Sequence, residues 1–284
     1  MKPAPFAYVR PESLEDAIGV LGEHGEDARV LAGGQSLMAT LNMRLSAPRV
    51  LVDIGRLPGL AGIENVDGGL RIGAMTRHAE VEVSDLVASQ APLIASAMPH
   101  IAHPAVRNRG TFGGSIAFAD PAAELPACAV ALGAQMTIAG RDSSRTVDAD
   151  AFFRGLYETA LEPGEVLTAI EVPGIEAGWK SGFMELARRH GDYAIIGLAA
   201  HVEVEDGRFG RARLVFFGAG ERPVSAPRSA TLLEGESWSE ALGARIADAL
   251  KAELDPFEDL NADAAMRRHL AGVLAGRVLA PLAA

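Results

Sequence analysis

Two short stretches decide how the chain is read: Leu31-Ala32-Gly33-Gly34-Gln35-Ser36-Leu37 and Arg109-Gly110-Thr111-Phe112-Gly113-Gly114-Ser115. Each sets a glycine pair before a small polar side chain. Glycine lets the backbone take positive φ and lets a ligand approach the amides closely. Successive N–H groups in such a turn form an anion-binding concavity. The first stretch follows a strand-like run, Arg29 to Ala32, and precedes a short helical one, Leu37 to Met43. That order puts phosphate at a helix N-terminus. One such turn suits one phosphate, and two could hold a pyrophosphate between them. Neither is G-x-G-x-x-G, and no P-loop lysine follows. Taken alone, each also reads as an ordinary tight turn.

Upstream, Ser13 caps a helix whose apolar face is Leu14, Ala17, Ile18 and Leu21, ended by Gly22 to Gly25. Arg49 to Ile54 is a second strand, so the opening is a small α/β unit. Ile63 to Val66 and Leu70 to Ala74 flank Asp67-Gly68-Gly69 as a hairpin. Thr76 to Met98 is helical in pattern, broken before Pro92. Pro104 to Asp120 is glycine-rich with little periodicity, and Ala122 to Leu132 reads as a buried helix despite Pro126. Ala134 to Ala139 and Ser144 to Val147 form another hairpin, and Glu165 to Val172 is a strand. Turn residues cluster at Pro173 to Gly178, a domain boundary. Beyond it come three strands, Gly182 to Arg189, Ile195 to Val204 and Arg211 to Gly218. Two helices follow, Ser237 to Leu254 and Ala262 to Leu279. The fold class is α+β.

The 284 residues are 49% apolar and 22% charged, enough for a sizeable core in two or three domains. A net charge of −11 argues against general affinity for nucleic acid or an anionic membrane. No apolar run reaches the ~18–20 residues of a membrane span. Met1 to Arg10 lacks the apolar stretch of a signal peptide, which points to a cytoplasmic protein. The single cysteine, Cys128, excludes an internal disulfide and an iron–sulfur cluster held by this chain.

With their flanks, the two glycine stretches resemble the paired signatures of the FAD-binding middle (medium) subunit of carbon monoxide dehydrogenase and xanthine dehydrogenase-type molybdenum hydroxylases. Further matching segments are Val52-Asp53-Ile54, Ala119 to Pro126 and Arg188-Arg189-His190-Gly191-Asp192-Tyr193-Ala194. They occur in the family's order and span most of the chain. The resemblance implies an FAD-binding domain over residues 1–175, with lobes of about 1–55 and 56–175. Residues 176–284 would form a C-terminal domain with a three-stranded antiparallel sheet and helices. It also implies the cofactor residues: Ala32, Gly33, Gly34, Gln35, Ser36, Thr111, Gly113, Gly114 and Ser115 against the pyrophosphate. Asp120 and Glu124 would accept hydroxyl hydrogen bonds, and Tyr193 would lie beside the isoalloxazine ring. Arg107 and Arg109 could screen phosphate charge. Two departures touch fine contacts only: Ser115 stands where the family often has Asn, and Phe112 where Ile or Leu is usual.

The function so implied is electron transfer by noncovalent FAD. A small subunit would carry two [2Fe–2S] clusters and a large subunit the molybdenum cofactor, in a dimer of heterotrimers. Electrons would pass from the clusters to FAD and on to an external acceptor. No catalytic acid–base residue and no metal ligand is assigned. His100 and His103 are separated from any aligned helix by Pro99 and Pro104, Cys128 reads as inert core, and Ser36 lacks a G-x-S-x-G context. The alternative is a self-sufficient FAD oxidoreductase on the same type of fold, like the enolpyruvyl-reducing enzymes of cell-wall synthesis. A third reading is a nucleotide-binding module without redox activity.

Overall fold

A computed structural model describes residues 2–284. The first layer is a three-stranded parallel sheet in which Val50–Asp53 lies between Ala7–Val9 and Ala28–Leu31. The helix Leu14–His24 covers it, capped by Ser13 through the Asp16 N–H at 3.0 Å. Its buried residues Ala17, Ile18 and Leu21 meet Val50 and Val52 in one core. The outer strand Ala7–Val9 is an addition to the sequence reading.

The second layer is a five-stranded antiparallel sheet, ordered Ile63–Val66, Gly69–Gly73, Val166–Pro173, Gln135–Ala139, Ser144–Asp148. The helix Glu124–Leu132 packs on it, and all nine of its residues are buried. Pro126 stands at its third position, where the missing N–H would find no intrahelical partner anyway. The run after Ala74 is three short helices, His78–Glu82, Asp85–Gln90 and Pro92–Ala97. The break before Pro92 is as expected, and a further one falls at Ser84, which caps the second helix.

Pro104 to Asp120, glycine-rich and with little periodicity in the sequence, contains the helices Pro104–Arg107 and Phe112–Phe118. Glycine lowers helix propensity by about 1 kcal/mol against alanine, which hides the second helix from a pattern reading. Tertiary packing requires the small residue, because a Cβ on Gly113 would lie 2.4 Å from that of Ala74.

The third layer is an antiparallel sheet of Trp179–Leu186, Ile196–Glu205 and Arg208–Phe217, with a two-residue fourth strand, Val224–Ser225, at its edge. Both faces are buried. Leu198, Ala200, Leu214 and Phe216 face the helices Glu240–Glu253 and Ala264–Leu282. The alternate residues Ala199, Val215 and Phe217 join the core of the second layer. Two-residue alternation thus fastens this sheet to the helix Glu124–Leu132 as well as to its own helices.

Candidate functional site

The strand Ala28–Leu31 delivers Ala32-Gly33-Gly34-Gln35-Ser36 to the start of the helix Leu37–Met43. Gly34 has φ +72°, a left-handed conformation that glycine takes without steric cost. The Gln35 side chain donates to the Gly33 carbonyl at 3.1 Å and holds the turn closed. Among the described residues, the N–H groups of Gln35, Ser36 and Leu37 meet no backbone acceptor. They remain available to an anion.

The second stretch is built differently. Phe112 N–H donates to Thr76 O and Gly113 N–H to Ala74 O, both at 2.9 Å; Ser115 N–H donates to Thr111 O at 3.1 Å. Gly114 N–H donates to Thr111 Oγ1, also at 3.1 Å. This corrects the picture of two amide concavities, because these four amides are already satisfied within the protein. Thr111 is a buried helix cap and Gly113 a packing glycine. The stretch offers a surface instead: Gly114, half-buried, has its Cβ position 3.8 Å from Ala32 Cβ. Gly33 is closer still, since a Cβ there would lie 2.3 Å from the Arg109 carbonyl oxygen. The two stretches therefore meet edge to edge across the first and second layers.

Around this seam the other expected residues gather. Tyr193 is exposed, in the loop where Gly191 takes φ +85°. Asp120 Oδ1 accepts from Ala122 N–H at 2.9 Å, and Oδ2 from the Tyr157 hydroxyl at 3.3 Å. Burial raises the Asp120 carboxyl above its ordinary value. Glu124, at the start of its helix, is pushed up to about 7 by burial, with the negative charge of Asp120 adding to the effect. Burial raises the Tyr193 hydroxyl too, with Asp120 and then Glu124 contributing.

Arg107 is not free to screen phosphate. It is buried, donates to both Glu82 oxygens at 2.7 and 2.9 Å, and reaches the carbonyls of Ile101 and Ala102. Arg109 is exposed. Tyr157 and Glu185 were not singled out from the sequence. Tyr157 packs at a tilt beside Phe118, ring centroids 5.1 Å apart, and its hydroxyl is driven to about 12, first by burial and then by Asp120. Its φ of +55° is the backbone sign of a tight two-stranded hairpin, Phe153–Gly155 with Glu158–Thr159. Cys128 is fully buried, and burial raises its thiol. A shallow cavity of about 680 Å³ lined by Asn65, Gly69, Gln90 and Glu176 contains none of the expected cofactor residues.

Comparison with known proteins gives this cluster a context. Residues 4–175 match the FAD binding domain in molybdopterin dehydrogenase, and residues 181–282 the CO dehydrogenase flavoprotein C-terminal domain. The chain belongs to this flavoprotein family. It is 39% identical over 281 residues to the 6-hydroxypseudooxynicotine dehydrogenase complex subunit alpha of Paenarthrobacter nicotinovorans, covering 99% of this chain and 95% of the relative. It is 36% identical to the carbon monoxide dehydrogenase medium chain of Hydrogenophaga pseudoflava, covering 98% and 97%. The solved structure of that organism's carbon monoxide dehydrogenase superposes with a TM-score of 0.95 at 37% identity, over 98% of this chain and 97% of the other. Quinoline 2-oxidoreductase from Pseudomonas putida 86 gives 0.94 at 39% identity, over 100% and 98%. This flavoprotein subunit is thus an oxidoreductase component with an FAD-binding domain. Among its described residues, no helix is long and apolar enough to cross a membrane.

The residues present fit FAD. Free amides at Gln35, Ser36 and Leu37 suit a phosphate oxygen, and a Cβ at Gly33 would force the seam apart. Asp120 and Glu124 are acceptors for hydroxyl groups, and Tyr193 offers an exposed aromatic face.

Proposed function

We propose that this chain is the electron-transfer subunit of a heteromeric molybdenum hydroxylase, taking electrons from [2Fe–2S] clusters of a small subunit and passing them through FAD to an external acceptor. The observation that carries this reading is the meeting of Ala32 and Gly33 with Arg109, Gly110 and Gly114 in one seam, beside the free amides of Gln35, Ser36 and Leu37. Bound FAD supplies a centre that accepts and releases electrons one or two at a time. Gln35, Ser36 and Leu37 would hold the pyrophosphate through their amides. Ala32, Gly33 and Gly34, with Gly114 and Ser115, would shape the wall it lies against. Thr111 and Gly113 would act from behind, fixing the helix start. Asp120 and Glu124 would accept from ribityl or ribose hydroxyls, and Tyr193 would cover one face of the ring.

A single cysteine leaves the chain without cluster ligands, which supports partners that carry the clusters and the molybdenum cofactor. The domain division proposed is 1–175 and 176–284, and the assembly proposed is a cytoplasmic dimer of heterotrimers. The test is purification of the chain alone and with two partner subunits, with flavin, iron and molybdenum analysis. The expected result is one FAD per chain in both preparations, with substrate oxidation only in the complex. A lone chain that oxidises an organic substrate with flavin as its sole redox centre would overturn the reading.

A further inference from the structure

Arg267, on the helix Ala264–Leu282, is only 1% exposed, and charged side chains are seldom so buried unless paired. Its Nη1 donates to two backbone carbonyls, Ile195 O and, at 2.8 Å, Gly218 O. Its Nη2 pairs with Asp259 Oδ2 at 2.7 Å, and the guanidinium carbon lies 5.0 Å from the centre of the Phe257 ring. An apolar side chain could fill the same space without desolvating a charge. It could not answer two carbonyls at once.

The two carbonyls stand where two stretches of the cleft return to the third-layer sheet. Ile195 immediately precedes the strand Ile196–Glu205, and Gly218 immediately follows Arg208–Phe217, at the same end of the antiparallel pair. They converge so closely that a Cβ on Gly218, which has φ +66°, would lie 2.7 Å from Ile195 O and 3.3 Å from Ala194 O. Ile195 closes the loop that carries Tyr193, and its N–H donates to Leu186 O at 2.8 Å. The other end of that loop is set by Gly191 against Ala102 O. On the second arm, Gly218 N–H donates to Pro121 O at 2.7 Å, and Pro121 follows Asp120 directly. Ala122 N–H donates to Asp120 Oδ1 at 2.9 Å and Ala123 N–H to the Asp120 carbonyl at 3.0 Å. Hydrogen bonds thus lead from one guanidinium to the Tyr193 loop in one direction and to the Asp120 corner in the other.

We propose that Arg267 is a positioning residue for the flavin: from the C-terminal helix it sets the spacing of Tyr193 and Asp120 across the cofactor cleft. The proposal rests on the reading of the cleft as an FAD site. Arg267 acts through Ile195 O and Gly218 O rather than by contact of its own, while Asp259 and Phe257 hold the guanidinium in place. Without it, two acceptors would be left in the interior with their donor gone, and the chain would relieve them by moving apart. That movement shifts Tyr193 against Asp120.

The test compares three variants of the full chain loaded with FAD. Arg267→Met removes the donors, and Arg267→Lys keeps the charge while losing the planar fork. Leu250→Ala, in the core of the same domain, lowers stability without touching either carbonyl. Arg267→Met should weaken FAD binding about tenfold and shift the visible circular dichroism of the bound flavin. Arg267→Lys should restore part of both. Leu250→Ala should lower the urea midpoint and leave FAD affinity and the flavin band as in the wild type. Should Arg267→Met not fold, the comparison of Arg267→Lys with Leu250→Ala decides. Wild-type flavin spectra and FAD affinities in the Arg267 variants would overturn the positioning role alone, as would equal flavin changes in Leu250→Ala. A wild-type chain that binds no FAD would overturn the FAD site and this role together.

Discussion

The Gly33 Cα lies against the Arg109 carbonyl so closely that a single added carbon would stand 2.3 Å from the oxygen. This contact joins two stretches of chain more than seventy residues apart, and it fixes the distance between the free amides of one and the helix cap of the other.

Gly33→Ala should therefore force the seam open. We expect a loss of about 1–3 kcal/mol in stability, as for overpacked sites, and a clear fall in flavin occupancy. Gly19→Ala is the control: it lies mid-helix with nothing within 4 Å of its Cβ position. That change should raise stability by about 0.5–1 kcal/mol and leave occupancy unchanged. Urea midpoints and the flavin-to-protein absorbance ratio measure both, and a Gly33→Ala protein with full occupancy would dissolve the link between seam and cofactor.

Glu82 should matter to the same region without touching it. The carboxylate takes two hydrogen bonds from buried Arg107, which also holds the carbonyls of Ile101 and Ala102. Glu82→Ala strands the guanidinium, and breaking a buried pair from one side costs about 3 kcal/mol. Ala102 O also abuts Gly191, 2.8 Å from its Cβ position, so the loop before Tyr193 should loosen too. Hydrogen exchange at Gly191 to Tyr193 should rise along with the stability loss.

Local signals in the sequence carried the elements that depend on local order. Ser13 and the apolar face of Leu14, Ala17, Ile18 and Leu21 placed the first helix to within a residue at its start. The strand Ala7–Val9 escaped because three residues among prolines carry no period, and its partner lies more than forty residues on. The second glycine stretch was found, but its amides could not be assigned from sequence, because their acceptors belong to Ala74 and Thr76. Glu185 left a faint sign: an acid on the same strand face as Phe183, with Met184 and Leu186 as neighbours. Only the sheet's second buried face gives that sign its meaning.

The buried acids give stability a defined pH slope. Burial first, with negative neighbours adding, holds Glu124 at about 7 and Glu185 at about 8 against an ordinary value of 4.5. Between those limits the folded chain binds more protons than the unfolded one, so the slope of unfolding free energy with pH is negative. Their contribution is complete below about pH 4.5 and lost as pH rises through 7 to 8. Glu185→Gln should flatten this decline and exceed the wild type in urea midpoint at about pH 9, with the smallest difference at acid pH. An equal midpoint difference across the range would show that Glu185 is ionised when folded.

Tyr193 separates a cofactor role from a structural one most directly. It is 65% exposed, in a loop where Gly191 takes φ +85°. A residue so exposed contributes little to the core, so Tyr193→Ala should change stability by less than about 0.5 kcal/mol. If the ring covers the isoalloxazine, the same change should shift flavin absorbance and speed reoxidation by solvent oxygen, because an aromatic cover is removed. Tyr193→Phe should keep the cover and lose only the hydroxyl, preserving most of the spectrum. Matched flavin spectra and reoxidation rates across wild type, Phe and Ala would place the ring away from the flavin and leave the loop as a surface turn.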